Sequence, residues 1–149
     1  MRNNFLIFIL IVGSSFSCKV SNRQPVENVN ETKQATNFKD FKFQYQDFEI
    51  FYDKFITDPI YQISKVKFPI KGVYADYEGE KEWTKETWPF MKWDLRKEIK
   101  NTEDSISIEQ SENRLFFGTY CGGCGFSFEM AFDKIENDWF LTYRQENNY

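Results

Sequence analysis

The 149-residue chain contains no histidine. That absence removes the usual Ser-His-Asp and Cys-His catalytic arrangements. It also removes the common catalytic zinc sets and most haem ligation. No GxGxxG, P-loop or GxSxG pattern occurs, so neither a phosphate cradle nor a nucleophile elbow is announced. Cysteine is scarce, with three in all, and a structural zinc site wants four ligands, usually Cys and His. No cofactor and no metal site are therefore expected. The longest apolar run, Phe5 to Val12, is well short of the about 20 residues that a membrane-spanning helix needs. Basic residues are outnumbered, 19 Lys and Arg against 23 Asp and Glu. Phosphate binding requires a basic face, so nucleic acid is excluded as a partner.

What is present begins with MRNNFLIFILIVGSSFSC. A positive start, a short apolar core and a small-residue exit predict a signal peptide over residues 1–17. The Cys at the exit, Cys18, makes the segment resemble a bacterial lipoprotein signal, in which the peptide is cut before the Cys and that Cys carries the lipid. Ser15 and Phe16 depart from the residues such signals prefer, and an ordinary signal peptide cut near Ser17 is the alternative. Residues 19–37, KVSNRQPVENVNETKQATN, hold no aromatic residue and too little apolar surface to offset the entropy of ordering them. Residues 18–37 are read as a lipidated Cys with a flexible tether. The expected location is the cell envelope, with the membrane as a partner through the lipid. The anchor would sit in the outer membrane, facing the periplasm or the exterior.

Residues 38–149 read as one α+β domain. Aromatic residues make up 19% of the chain, 17 of them Phe, which predicts an aromatic core. Phe38, Phe41, Tyr45, Phe48, Tyr52 and Phe55 recur at helical spacing. Phe41, Phe43 and Tyr45 also alternate, so the first part is extended if the helix begins only near Asp47. Asn37 is a candidate cap for the longer helix. Asp58-Pro59 predicts a second helix start, with Asp as N-cap and Pro at the first helical position. That helix is expected to run through PIYQISKVKF and end at Pro69. Gly79 is expected to end a short strand in IKGVYADYEGE. Pro89 should bend WTKETWPFMKW, and DLRKEIKN reads as helical. SISIEQ, RLFFGTY, GFSFEMAFD and DWFLTYRQ alternate apolar and polar residues. They predict a four-stranded antiparallel meander, turning near Asn113 and Asn137-Asp138. In its last strand Trp139, Leu141 and Tyr143 are expected to face one way.

The stretch TYCGGCGFSF carries the remaining cysteines, Cys121 and Cys124. A redox CxxC sits at a helix start, where the helix terminus lowers the thiol pKa, but here a strand pattern follows. With Gly122 and Gly123 at the centre of a two-residue hairpin loop, the flanking cysteines are close enough for a disulfide. An oxidising compartment and an even pair left after lipidation of Cys18 agree with that. A reduced pair or a Gly-rich tip lining a binding surface is the alternative, and thiol–disulfide activity a further one. Asp76, Glu78, Glu80, Glu82 and Asp94 are candidate carboxylates for acid–base chemistry, although none has a distinctive spacing. Trp83, Trp88 and Trp93 are candidates for stacking on a ligand or for the core.

The stretch FEIFYDKFITDPIYQISKVKFPI resembles the opening of a family of uncharacterised lipoproteins from Bacteroides-type bacteria. The resemblance lies in Phe48, Phe51, Phe55, Asp58, Tyr61-Gln62, Lys65 or Lys67, and Phe68-Pro69, with DWFLTY near the end. It implies a nuclear transport factor 2-like or cystatin-like fold, in which N-terminal helices pack in a curved antiparallel sheet to form a cone. It also implies a small-molecule pocket between sheet and helices. The expected role is binding of a small ligand or another envelope protein, without catalysis. A pocket isomerase or hydrolase using Asp, Glu and Tyr is the enzyme alternative. No ligand-binding residue is assigned by the resemblance.

Overall fold

The computed structural model describes residues 40–149. The leader, Cys18, the tether, Asn37 and Phe38 lie outside the described residues. Residues 41–45 are non-helical, and the first helix, α1, spans Gln46–Thr57. The later start is therefore correct, and Phe43 reaches the core from the extended lead-in. Phe48, Phe51, Tyr52 and Phe55 are the buried face of α1, and each is in ring contact with Phe132 of the sheet. Asp47 and Glu49 in the first turn and Lys54 in the last complement the helix dipole.

Asp58 ends α1 and starts α2, Pro59–Ser64, by accepting from the backbone N–H groups of Ile60 and Tyr61 at 3.0 and 2.9 Å. This helix is shorter than the sequence predicts. Lys65 closes it by donating its N–H to Tyr61 and Gln62, and Val66–Lys71 then forms strand β1. The cause is the alternation of Val66, Phe68 and Ile70, which suits a strand, against a helical propensity too weak to hold the turn. Pro69 does not end the element. Only Val66 and Lys71 register with the neighbouring strand, so the N–H that Pro lacks is not needed between them.

Strands β2 (Val73–Asp76) and β3 (Gly79–Glu82) form a hairpin, in which Gly79 opens β3 where the sequence reading had it close a strand. Residues 83–94 are irregular, as expected from WTKETWPFMKW, and α3 spans Leu95–Asn101, capped by Asp94. The meander follows as β4 (Ser105–Ser111), β5 (Arg114–Tyr120), β6 (Phe126–Ile135) and β7 (Asp138–Asn148). Its last turn is centred on Glu136 and Asn137, both with positive φ, one residue before the Asn137-Asp138 pair.

The sheet has seven strands in the order β3-β2-β7-β6-β5-β4, with β1 also paired to β7. It is curved, unclosed and mixed. The expectation of a wholly antiparallel sheet is corrected here, because β1 and β2 both run parallel to β7, one after the other. Gly72 links them at a φ of +86°, and a Cβ there would strike the backbone carbonyl of Arg144. The chain can pass this close to β7 only because position 72 has no side chain.

Candidate functional site

A cavity of about 410 Å³ opens between the inner face of the sheet and the segment that covers it. Its apolar wall is Trp93 from the covering segment, Phe117 from β5, and Phe126 and Phe128 from β6. Trp93 meets Phe128 edge to face, with centroids 5.0 Å apart. The polar groups are Thr119 and Arg144 on the sheet, with Glu146 beside them, and Glu98, Thr102 and Asp104 on the covering side.

Arg144 reaches this wall through a break in the strand. Ala131 pairs with Tyr143 while Phe132 pairs with Leu141, so Thr142 is a bulge residue without an opposite number. The bulge switches the side-chain parity of β7. Trp139 and Leu141 face the core as predicted, but Tyr143 turns to the outer face, where it bonds Glu129. Arg144 turns inward and is 6% exposed. The expected shared face of Trp139, Leu141 and Tyr143 is thus corrected at Tyr143, and strict alternation would have put Arg144 in solvent.

The Arg144 guanidinium lies over the rings of Trp83, Trp88 and Phe128, at 4.0, 5.1 and 5.6 Å from their centroids. Its Nη2 donates to Glu146 at 3.0 Å. Its Nε and Nη1 have no partner within the protein, nor has the hydroxyl oxygen of Thr119, and among the described residues these are the three buried side-chain polar atoms so left. Burial lowers the guanidinium pKa from its ordinary value, and Glu146 opposes that shift. The group stays cationic. Its position is fixed from the backbone side as well, since the Trp83 indole N–H donates to the Arg144 carbonyl at 3.0 Å.

The covering segment is held by α1. The Tyr52 hydroxyl donates to the Trp93 carbonyl at 3.3 Å and accepts from the Leu95 N–H at 3.2 Å. Arg96 pairs with Asp53 at 2.6 Å and with Asp94 at 2.8 Å. Gln62 on α2 binds the chain at residues 88–91 through both ends of its amide. Trp93 is thereby presented to the cavity by a segment tied at several points.

The sequence candidates divide clearly. Trp93 lines the cavity, while Trp83 and Trp88 hold the arginine that does. None of the five candidate carboxylates is among the lining residues. Asp76 and Glu78 pair with Lys81 on the β2–β3 hairpin, Glu80 and Glu82 are exposed on β3, and Asp94 caps α3. Cys121 and Cys124 lie at disulfide distance, with Cα atoms 5.6 Å apart. Their loop is longer than the two residues expected, because Tyr120 pairs with Ser127 and the Cys121 N–H reaches the Phe126 carbonyl. Positive φ falls on Gly123 and Gly125 instead of Gly122 and Gly123. A strand, not a helix, follows Cys124.

A second polar cluster sits on the outer face of the sheet. Glu129 accepts from Tyr120 at 2.8 Å and from Tyr143 at 2.6 Å. Burial, and then the Glu129 carboxylate, push the Tyr120 phenol up to about 12. Each carboxylate oxygen has its donor, so the cluster satisfies itself.

The model of a Bacteroides-named protein family matches residues 46–149. The chain belongs to this family. Its description names no activity. No curated protein matches the chain. Among solved structures, a protein of unknown function with a cystatin-like fold from Nostoc punctiforme is similar at 13% identity and a TM-score of 0.34. The match covers 67% of this chain and 86% of that one. At that level of likeness neither fold detail nor function transfers. The matched residues begin at α1 and run past the end of β7, and they include every residue of the cavity.

Proposed function

We propose that the protein is a non-catalytic binding protein that takes a small organic ligand into this cavity, and that it works at the cell envelope on a lipidated Cys18. A nuclear transport factor 2-like cone is part of the same proposal. The observation that carries the binding reading is the set of partnerless atoms. Leaving a buried donor unsatisfied costs about 1–3 kcal/mol, and more for a charged group. An apolar side chain of similar volume would stabilise the fold at least as well as Arg144 does. The residue makes sense when something else supplies its acceptors. The volume agrees, since small-molecule sites run from about 300 to 1,000 Å³ with apolar walls and a few convergent polar groups.

Titration of the full chain with anilinonaphthalene sulfonate tests this. The dye should bind saturably at one site with enhanced emission, and Thr119→Trp, which fills the cavity, should abolish that emission without lowering the thermal midpoint by more than a few degrees. Emission that does not saturate, or that Thr119→Trp leaves unchanged, would sink the reading.

A further inference from the structure

We propose that the ligand is a small amino-carboxylate with an apolar body, its carboxylate on Arg144 and Thr119 at the floor of the cavity and its ammonium toward Glu98 and Asp104 at the mouth. This rests on the binding reading above and names its ligand class.

The floor asks for an acceptor. Nε and Nη1 of Arg144 are donors only, and Thr119 offers a hydroxyl. All three atoms are buried and unpartnered, and both residues line the cavity. A carboxylate is a compact group that accepts a charge-assisted hydrogen bond from one side of a guanidinium and a second hydrogen bond from a hydroxyl.

The charge balance asks for a cation as well. Among the described residues Arg144 is the one cationic side chain of the lining, against Glu98, Asp104 and Glu146. Glu146 already engages Nη2. A carboxylate at the floor therefore leaves the cavity with excess negative charge, which a second anionic group would worsen and an ammonium would relieve. Glu98 is exposed and Asp104 is half-buried, whereas Arg144 is buried. Burial thus orders the two ends, with the anion inside and the cation outside. Between them stand Trp93, Phe117, Phe126 and Phe128, which match an apolar and preferably aromatic body.

Calorimetric titration of the full chain with three ligands built on one benzene ring tests the class: para-aminomethylbenzoate, terephthalate and benzyl alcohol. The zwitterion should bind at least about tenfold more tightly than either of the others, a factor equal to one charge-assisted hydrogen bond. Arg144→Met should remove about that factor for the zwitterion, and Thr119→Val a smaller one, with the thermal midpoint held or raised. Should Arg144→Met fail to fold, Glu98→Gln with Asp104→Asn tests the other end: it should abolish the preference over terephthalate and keep the fold. Terephthalate binding as tightly as the zwitterion, or zwitterion binding indifferent to both sets of variants, overturns the assignment. Benzyl alcohol binding equally well while displacing the dye overturns the ligand class and leaves the cavity reading in place. Failure of every ligand, together with dye emission indifferent to Thr119→Trp, overturns both.

Discussion

Gln62 is 1% exposed and uses its whole amide. Nε2 donates to the carbonyls of Phe55 and Met91 at 2.8 and 2.9 Å, and Oε1 accepts from the Met91 N–H and the Trp88 indole at 2.8 and 3.1 Å. Gln62→Leu would strand these groups in the core, so it should cost about 3 kcal/mol or more in denaturant unfolding. A loss below about 1 kcal/mol would show that water or rearrangement replaces the amide. Tyr120 gives a pH prediction on the opposite face. Its unfolded phenol titrates near about 10, and its folded one at about 12. Between those values the unfolded chain binds fewer protons, so stability falls with rising pH. The contribution is complete below about pH 10 and is lost as pH rises through about 12. Phenolate absorbance should therefore show a late-titrating class, and Glu129→Gln should move it partway back, because burial is the larger cause. An unchanged late class in Glu129→Gln would contradict the assigned bond. Tyr61-Gln62 was legible as a family pattern, but its partners Trp88 and Met91 lie 26 and 29 residues away, and no local rule links them.

At the scale of elements, local patterns were readable and non-local ones were not. Phe48, Phe51, Tyr52 and Phe55 announce α1, Asp58-Pro59 announces α2, and four alternating runs announce the meander. β1 was hidden because Pro69 reads as a stop, and its parallel pairing depends on β7, which begins 67 residues after Lys71. The bulge is the decisive miss. Nothing in Leu141-Thr142-Tyr143-Arg144 marks Thr142 as the extra residue; the signal is that β7 has 11 residues facing the 10 of β6, which is known only once both strands are bounded. Gly72 holds this region together. Gly72→Ala must place a Cβ at positive φ against the Arg144 carbonyl, and should cost more than about 2 kcal/mol. Gly122→Ala, with open space and no positive φ, should stay within about 0.5 kcal/mol. Equal losses in thermal unfolding would contradict the close approach assigned to Gly72. For the tip loop, we propose that Cys121 and Cys124 are oxidised in the envelope. So short a loop limits the loss in a Cys121→Ser/Cys124→Ser protein to about 2 kcal/mol.

At the scale of the molecule, α1 and α2 fill one part of the sheet's inner face, and the tied segment ending in α3 covers another, leaving the cavity beside it. The sequence made an aromatic-walled pocket expectable and supplied Trp93. It did not supply Phe117, Thr119, Phe128 and Arg144 as a set, because β5, β6 and β7 bring them together by register. The envelope location is separable from the cavity. Cys18→Ser should move the protein from the membrane to the soluble fraction, and continued membrane recovery would contradict the lipid anchor. The central claim is that Arg144 waits for an anionic ligand, and nitrogen-resolved NMR of the full chain reads that most directly. Adding para-aminomethylbenzoate should shift the Arg144 Nε–H resonance downfield and slow its exchange with water, with Thr119 and Trp93 responding alongside. An Arg144 Nε–H signal that stays in place while the ligand saturates the protein would contradict the account.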